Sequence, residues 1–418
     1  MLSGLTTRGR CLLAAGFAAA MCAWMLNERD LLRVAVFVIA LPLLVVLFIS
    51  ASKVRIGATR ALAPDRVPAG TETTVQLQLW RTGRMPSGEV LLEDGVAYGL
   101  GVRPRFIVEH LPHLQRVPLR YGLRPQSRGV QQVGPLRARV TDPFGICEFD
   151  RELIGTSRLM VVPKTEQLRG LPSGGGIGTG EDGSIQRGSG AGEPDAIVRQ
   201  YRQGDDLRLV HWPSTARRDE IMVRLEEKPR HGGTTVLLDH RAAAHHGAGP
   251  RASMEWAISF AASIALHLRR CGHGVRLVTE HAKVLAELPF DGGPAHDNLA
   301  LDALAALQPA HQRDVTLGGD PAGGQELIAV LGSISAEAIH ELTRHRARGM
   351  RSLAVLLDTP AWSTEAKGAQ CSSAVDESAR LLRAAGWSVV VARPSATIPS
   401  VWEELCRAGR WYPAMVGS

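Results

Sequence analysis

Aromatic residues make up only 5% of the 418-residue chain. That is too few for the alternation of rings and basic side chains on which single-stranded nucleic acid stacks. The six cysteines, Cys11, Cys22, Cys147, Cys271, Cys371 and Cys406, are scattered, with no C-x-x-C pair and two of them inside an apolar run. A disulfide scaffold and a zinc framework are thereby excluded, and unpaired thiols fit a reducing compartment. There is no G-x-S-x-G elbow, which removes the commonest α/β-hydrolase arrangement. The segment with phosphate-loop spacing, Gly183 to Ser189, lacks the lysine that would reach the β- and γ-phosphates and follows no apolar strand, so it reads as linker.

What is present is ample apolar material. The chain is 45% apolar and 21% charged, enough for two or three folded domains. Forty-eight Lys and Arg against forty-one Asp and Glu leave +7, a charge that suits an anionic membrane face or a dispersed surface excess; nucleic acid is not expected.

Two uncharged runs, 11–26 and 34–51, flank the polar turn Asn27, Glu28, Arg29 and Asp30. They predict a helical hairpin across a bilayer within residues 1–53, the second span containing Pro42. A cleaved secretory signal is the competing reading of the first run, since Arg8 and Arg10 precede it and Ala18 to Ala20 are small, but the second run would still anchor the chain. Arg8, Arg10, Lys53, Arg55 and Arg60 outside the hairpin outnumber Arg29 and Arg33 in the turn, which places both ends and the bulk of the chain in the cytoplasm. Part of the basic excess then faces anionic lipid.

From 54 to 165, short alternating runs such as Thr73 to Trp80, Val117 to Leu123 and Leu136 to Val140 are separated by turns including Pro68-Ala69-Gly70, Thr82-Gly83-Arg84 and Asp142-Pro143-Phe144-Gly145. This predicts a small β-sandwich. Residues 166–197 contain a stretch with nine glycines in twenty-five positions, Leu171 to Asp195, which reads as a connector. Between 231 and 418, the runs Thr234 to Leu238, Val275 to Thr279, Leu327 to Leu331, Leu353 to Leu357 and Ser388 to Val391 are apolar without alternation, as strands buried on both faces are. Amphipathic stretches lie between them: Met254 to Arg269, His296 to Leu307, Ser335 to Arg348 with Ser335 as N-cap, and Asp376 to Ala385 before Gly386. The alternation predicts a doubly wound parallel α/β sheet.

Few constellations survive a test for chemistry. His340-Glu341 and His345 mimic H-E-x-x-H, but histidines five apart lie about 140° apart around a helix. His240, His245 and His246 follow a strand end without a spaced carboxylate or thiol, and read as solvated. Asp205, His211 and Ser214 are close in sequence, yet nothing in the spacing builds a nucleophile. Asp239 and Asp358 end two strands, with Gly332, Ser333 and Ser335 after the strand between; they could offer oxygens to magnesium, but serve equally well as helix caps and turn formers.

The densest run of unusual residues is 198–217, which carries Arg199, Tyr201, Gly204, Asp205, Asp206, Arg208, His211, Trp212, Ala216 and Arg217 and continues into Ile221-Met-Val-Arg224. Taken alone, it suits a specific interaction surface and a hairpin held by Arg-Asp pairs equally. It resembles the signature of the family known as domain of unknown function 58, roughly R-E-Y-x-x-G-D-D-x-R-x-I-D-W-x-x-S-A-R before a Met-Val-Arg-Glu-like strand. This chain has Gln200 for the usual Glu, His211 for the usual Asp before Trp, and Pro213 where a basic or polar residue usually follows it. Arg128-Gly129, Gly134-Pro135 and Asp142 to Gly145 resemble the same family's β region, and the paired spans its membrane anchor.

The resemblance implies a signature segment at 198–230 followed by a von Willebrand factor A-like domain at 231–418. The metal-dependent adhesion motif of such domains is D-x-S-x-S, whereas Asp239 is followed by His240, Arg241, Ala242 and Ala243, so no metal and no other cofactor is expected. The resemblance also implies partners, a MoxR-type AAA+ ATPase and a transglutaminase-like membrane protein. The expectation is a non-enzymatic scaffold anchored in the lipid bilayer by two spans; the alternative is a cell-envelope hydrolase using polar residues of the signature.

Overall fold

The structure, a computed structural model, describes residues 5–51, 56–81, 89–109, 111–112, 115–141, 145–172, 197–200, 215–217, 220, 222–225, 233–312, 315, 319–346, 350–363 and 373–409. It divides into two compact units, Met1–Lys164 and Thr165–Ser418.

The first unit opens with α1 (Thr7–Leu26) and α2 (Arg29–Ala51), both long and apolar enough to cross a membrane. The expected spans lie inside them. The polar turn contracts to Asn27 and Glu28, because Asn27 adopts a left-handed conformation (φ 54°) and closes α1 by donating to the Ala23 and Trp24 carbonyls, while Arg29 and Asp30 already belong to α2. A Cβ on Gly16 would stand 2.6 Å from Ile39 Cγ1, so the small residue allows the helices to approach closely. Phe17, Trp24, Met25, Phe37 and Leu47 point outward and exposed, which a water-facing surface would disfavour. At the base of α1, Thr6 accepts from Gly9 N (3.3 Å) and donates to the Gly145 carbonyl (2.6 Å), and its own N–H donates to Ile146 O (2.9 Å).

Strands β1 (Ile56–Ala63), β2 (Arg66–Pro68), β3 (Thr73–Arg81), β4 (Val90–Val96), β5 (Arg105–Val108), β6 (Val117–Leu123), β7 (Gly129–Thr141), β8 (Glu148–Ile154) and β9 (Ser157–Val162) follow. They form a three-stranded sheet β1-β3-β6 and a larger sheet β2-β9-β7-β4-β5, with β8 also on β7. Alternate residues such as Val75, Leu77 and Leu79 on β3 and Leu136 and Ala138 on β7 fill one apolar core, as a sandwich requires.

Inside that core sits a polar hub. Asp94 of β4 is fully buried and receives the Arg60 guanidinium through Nε (3.2 Å) and Nη2, and the Tyr121 hydroxyl at 2.6 Å. Arg60 Nη1 also donates to the Val133 (3.0 Å) and Gly155 (2.8 Å) carbonyls. Arg60 and Tyr121 belong to one sheet and Asp94 and Val133 to the other, so the hub ties the sheets together with every charge answered. Burial, and then the carboxylate beside it, push the Tyr121 hydroxyl above its ordinary pKa. One sequence expectation is corrected here: Arg60, counted among the charges flanking the membrane, is buried in this hub and faces no lipid.

The second unit contains a two-stranded antiparallel ladder, β10 (Ile197–Gln200) with β11 (Met222–Leu225). It continues as β12 (Gly233–Leu238), α3 (Ser253–Arg270), β13 (Gly274–Thr279), β14 (Val284–Leu288), α4 (Pro294–Ala306), β15 (Glu326–Leu331), α5 (Ala336–Arg344), β16 (Ser352–Leu357), α6 (Ser373–Ala384), β17 (Ser388–Ala392) and α7 (Ile398–Ala408). The sheet order is β14-β13-β12-β15-β16-β17, all parallel except the edge strand β14. Helices α3, α4 and α7 pack on one face and α5 and α6 on the other, which is why the central strands are buried residue after residue. Ser335 caps α5 by accepting from Ala338 N (3.2 Å), and Gly386 with φ 86° follows α6. Residues 165–172, at the start of the composition-defined connector, pack on this unit: Leu168 joins its core, and buried Trp402 donates to the Arg169 and Gly170 carbonyls at 3.1 and 3.2 Å.

At the amino edge of this sheet, Glu326 is 8% exposed, and neither carboxyl oxygen has a hydrogen-bond partner among the described residues. Burial pushes its pKa from 4.5 up to about 7, although Arg351 and Arg346 oppose the shift. Between these two values the folded protein holds a proton that the unfolded chain has released, so stability falls as pH rises through that window. In urea denaturation of the detergent-solubilised chain, the wild type should lose about 3 kcal/mol more than Glu326→Gln between pH 4.5 and 7, since the variant lacks this contribution. Parallel pH profiles for the two proteins would contradict this.

Candidate functional site

Because β12 and β15 are neighbours while the chain runs outward from them in opposite directions, their carboxyl ends form the crevice where open α/β sheets place ligands. Asp239, directly after β12, is fully buried there. Its Oδ1 accepts from Arg241 N (3.1 Å) and Nε (2.9 Å), and its Oδ2 from Arg241 Nη2 (2.7 Å) and Gly332 N (3.3 Å). Arg241 Nη2 continues to the Ser333 carbonyl at 3.0 Å. The guanidinium thus covers both carboxylate oxygens in the two-pronged geometry that suits it best. Gly332 is held to glycine by contact, since a Cβ would fall 2.2 Å from the Ala244 carbonyl.

Two further pairs surround this one. Glu280, directly after β13 and fully buried, receives His240 N (3.1 Å) and faces His240 Nδ1 at 2.6 Å, with His281 Nε2 at 3.5 Å from its other oxygen. Burial alone would raise its pKa, but the hydrogen bonds and charge of His240, together with a hydrogen bond from Glu280's own backbone N–H, hold the carboxyl below its usual range. His245 Nε2 lies 2.9 Å from the Asp239 carbonyl, which can only accept, so Nε2 carries the proton and Nδ1 is left to accept from Ser253 Oγ at 3.1 Å. Burial depresses the His245 pKa and favours this neutral ring. Ser253 is itself fully buried and accepts from His246 N at 2.9 Å, so this Ser-His pair offers no nucleophile to a substrate.

Several sequence expectations change. His240 and His245, read as solvated, are bonded to buried partners; only His246 of the three is exposed. Of the possible magnesium ligands, Asp239 does meet Gly332 and Ser333, but through Arg241 and main-chain groups, and Ser335 is a helix cap. Asp358 lies two strands away at the end of β16, with Arg393 Nε 3.7 Å from its Oδ2. A divalent cation therefore does not fit at Asp239: its oxygens are taken by Arg241, and the two positions where the adhesion motif has hydroxyls hold Arg241 and Ala243. His340 is exposed on α5 and His345 ends that helix.

Of the signature residues, Arg199 lies in β10 opposite Val223, and Ala216 and Arg217 are exposed in a helical turn at 215–217. Tyr201, Gly204, Asp205, Asp206, Arg208, His211 and Trp212 lie outside the described residues, as do Ser214 and the phosphate-loop-like stretch 183–189. The β10-β11 ladder nevertheless brings the two ends of the signature together. Sequence reasoning missed Glu280 and Ser253. The signal for Glu280 was available, since an acidic residue ends β13 just as Asp239 ends β12.

Residues 197–325 match the model of the family described as protein of unknown function DUF58, which supports the family resemblance read from residues 198–217. The matched stretch contains Asp239, Arg241, His245, Ser253 and Glu280. No curated protein matches the chain. Among solved structures, the CARDB domain of a Pyrococcus furiosus protein, determined in complex with di-metal ions, is similar at 12% identity and TM-score 0.19, covering 26% of this chain and 86% of that one. A cohesin module from a Clostridium perfringens family 33 glycoside hydrolase is similar at 16% identity and TM-score 0.19, covering 26% and 98%.

The Arg241 geometry makes a prediction. Thermal melting of the wild type should be the same in millimolar magnesium and in EDTA. Arg241→Ser, which leaves a buried carboxylate without its cation, should lose about 3–5 kcal/mol and regain part of it with magnesium. Magnesium stabilising the wild type would refute the assignment.

Proposed function

We propose that the chain is a membrane-anchored interaction protein of the DUF58 type: a hairpin of two spans in the cell membrane, the bulk of the chain in the cytoplasm, and a von Willebrand factor A-like domain following the signature segment. The carrying observation is that the polar groups at the carboxyl edge are committed to one another, Asp239 to Arg241, Glu280 to His240 and Ser253 to His245. Such an edge is suited to presenting a fixed shape rather than to reacting, and its recognition of a partner is independent of metal. The strand order, with one antiparallel edge strand and helices on both faces, supports the A-like reading.

The signature segment supplies a second surface in this reading. Asp205, Asp206, Arg208 and Arg217 provide charge-assisted contacts, and Tyr201 and Trp212 the aromatic anchors that dominate interfaces. The partners proposed are a MoxR-type AAA+ ATPase and a transglutaminase-like membrane protein, on family resemblance.

Crosslinked affinity purification from native membranes, read by mass spectrometry, tests the proposal. The wild type should recover such a partner, and Trp212→Ala should lose it while keeping the wild-type melting temperature. Unfolding of Trp212→Ala would instead assign Trp212 to the core. A hydrolytic activity lost in His211→Ala or Asp205→Asn, with partners retained, would move the reading to the cell-envelope enzyme.

A further inference from the structure

The outer face of the larger sandwich sheet carries a cleft of about 470 Å³, within the range of small-molecule sites. It is built by an irregularity. The β4-β7 register shifts between Asp94 and Val96, and there the backbones come so close that a Cβ on Gly95 would lie 2.5 Å from the Gly134 carbonyl. Gly134 is equally constrained: φ is 114°, and a Cβ would meet the Gly155 carbonyl at 2.6 Å and Arg60 Nη1 at 2.7 Å. A bulge of this kind redirects side chains, and it is backed by a rigid element, because Asp94 points inward to Arg60 and Tyr121. Its neighbours Glu93 and Gly95 therefore face outward onto the cleft.

The charges in the cleft are unequally committed. Glu93 is taken by Arg105 (3.3 Å) and Arg103 (4.0 Å), and Asp150 by Arg139 (2.9 Å), which Glu148 also approaches (2.7 Å). The Arg137 side chain, exposed and lining the cleft between them, makes no ion pair or hydrogen bond among the described residues, and neither does the Gln132 side chain. The floor strands offer no open edge, since β4 pairs with β5 and β7, and β7 with β4, β8 and β9. A ligand is therefore recognised by side chains and not by strand addition. A planar guanidinium with no internal partner selects an oxyanion. Glu93, opposite Arg137 in the β4-β7 register, and Asp150 limit the ligand to one anionic group.

We infer that this cleft binds a small ligand bearing a single carboxylate or phosphate monoester, with Arg137 as its two-pronged anchor and the Gln132 amide beside it. The inference is independent of the scaffold reading. Titration calorimetry of the full chain in detergent at low salt, with N-acetylglycine and glycerol 1-phosphate as separate probes, tests it and distinguishes the two anions. Saturable binding of at least one probe is expected, weakened at least tenfold in Arg137→Gln and several-fold in Arg137→Lys, which keeps the charge but loses the fork. Arg120→Gln, removing an equal charge from the other sheet, should bind as the wild type does. Because Arg137 is exposed and unpaired, its variants should melt with the wild type. The inference fails if neither probe binds, if Arg137→Gln binds normally, or if Arg120→Gln weakens binding as much.

Discussion

A buried carboxylate must be answered by a cation or stay protonated, and at Asp239 this chain answers it with its own Arg241. Much of the carboxyl edge depends on that choice. The guanidinium bridges Asp239 to the Ser333 carbonyl, so the loop after β12 is fastened to the loop after β15 across the strand-order reversal. Gly332 adds its N–H to the same carboxylate and must remain glycine because the Ala244 carbonyl presses against it. The Asp239 carbonyl fixes the His245 tautomer, and His245 in turn takes the Ser253 hydroxyl at the start of α3. One ion pair between residues two apart in sequence thus orders three loops, each having lost its freedom to rearrange around a ligand ion.

The β-module solves the same electrostatic problem with a different consequence. Asp94 is answered by Arg60 and Tyr121 from the opposite sheet, so the pair holds two layers together instead of two loops. Holding Asp94 inward also fixes the bulge beside it, and the outward side of that bulge is the cleft with Arg137. In both units, then, a satisfied buried charge acts as a rigid backing, and the surface next to it inherits a fixed shape.

Much of this architecture is legible in the sequence, for identifiable reasons. Continuous apolar runs predict β12, β13, β15, β16 and β17 to within a residue or two, because strands covered on both faces have no polar positions to confuse the period. The edge strand β14 was missed for the converse reason: Val284 to Leu288 is covered on one side only and is too short to establish an alternation. Helix α7 was missed although its signals are present, Thr397 as cap, Pro399 in the first turn, and Ile398, Val401, Trp402 and Leu405 at helical spacing. At the site, reading Asp239 against a metal motif identified what was missing but not what replaced it. Arg241 registered as a defect of the pattern, whereas its place two residues on lets it fold back onto the carboxylate. The His240-Glu280 pair joins residues forty apart and depends on β12 and β13 being neighbours in register, which no local pattern contains.

Strand direction also fixes where the segment that carries the signature is attached to the α/β unit. The segment between Pro172 and Gly233, which carries the signature, leaves and rejoins at the amino edge of the sheet: Arg351, immediately before β16, donates to the Pro172 carbonyl at 3.1 Å, and Gly233 opens β12. The Asp239-Arg241 pair lies at the other end of that strand, about 20 Å away for six residues at the usual rise. Arg351 also donates to the Gly409 carbonyl after α7, so one guanidinium holds the chain where it enters the insertion and where it leaves the last helix. The unpaired carboxyl of Glu326 stands beside that clasp, and its protonation near neutral pH changes the field in which Arg351 sits.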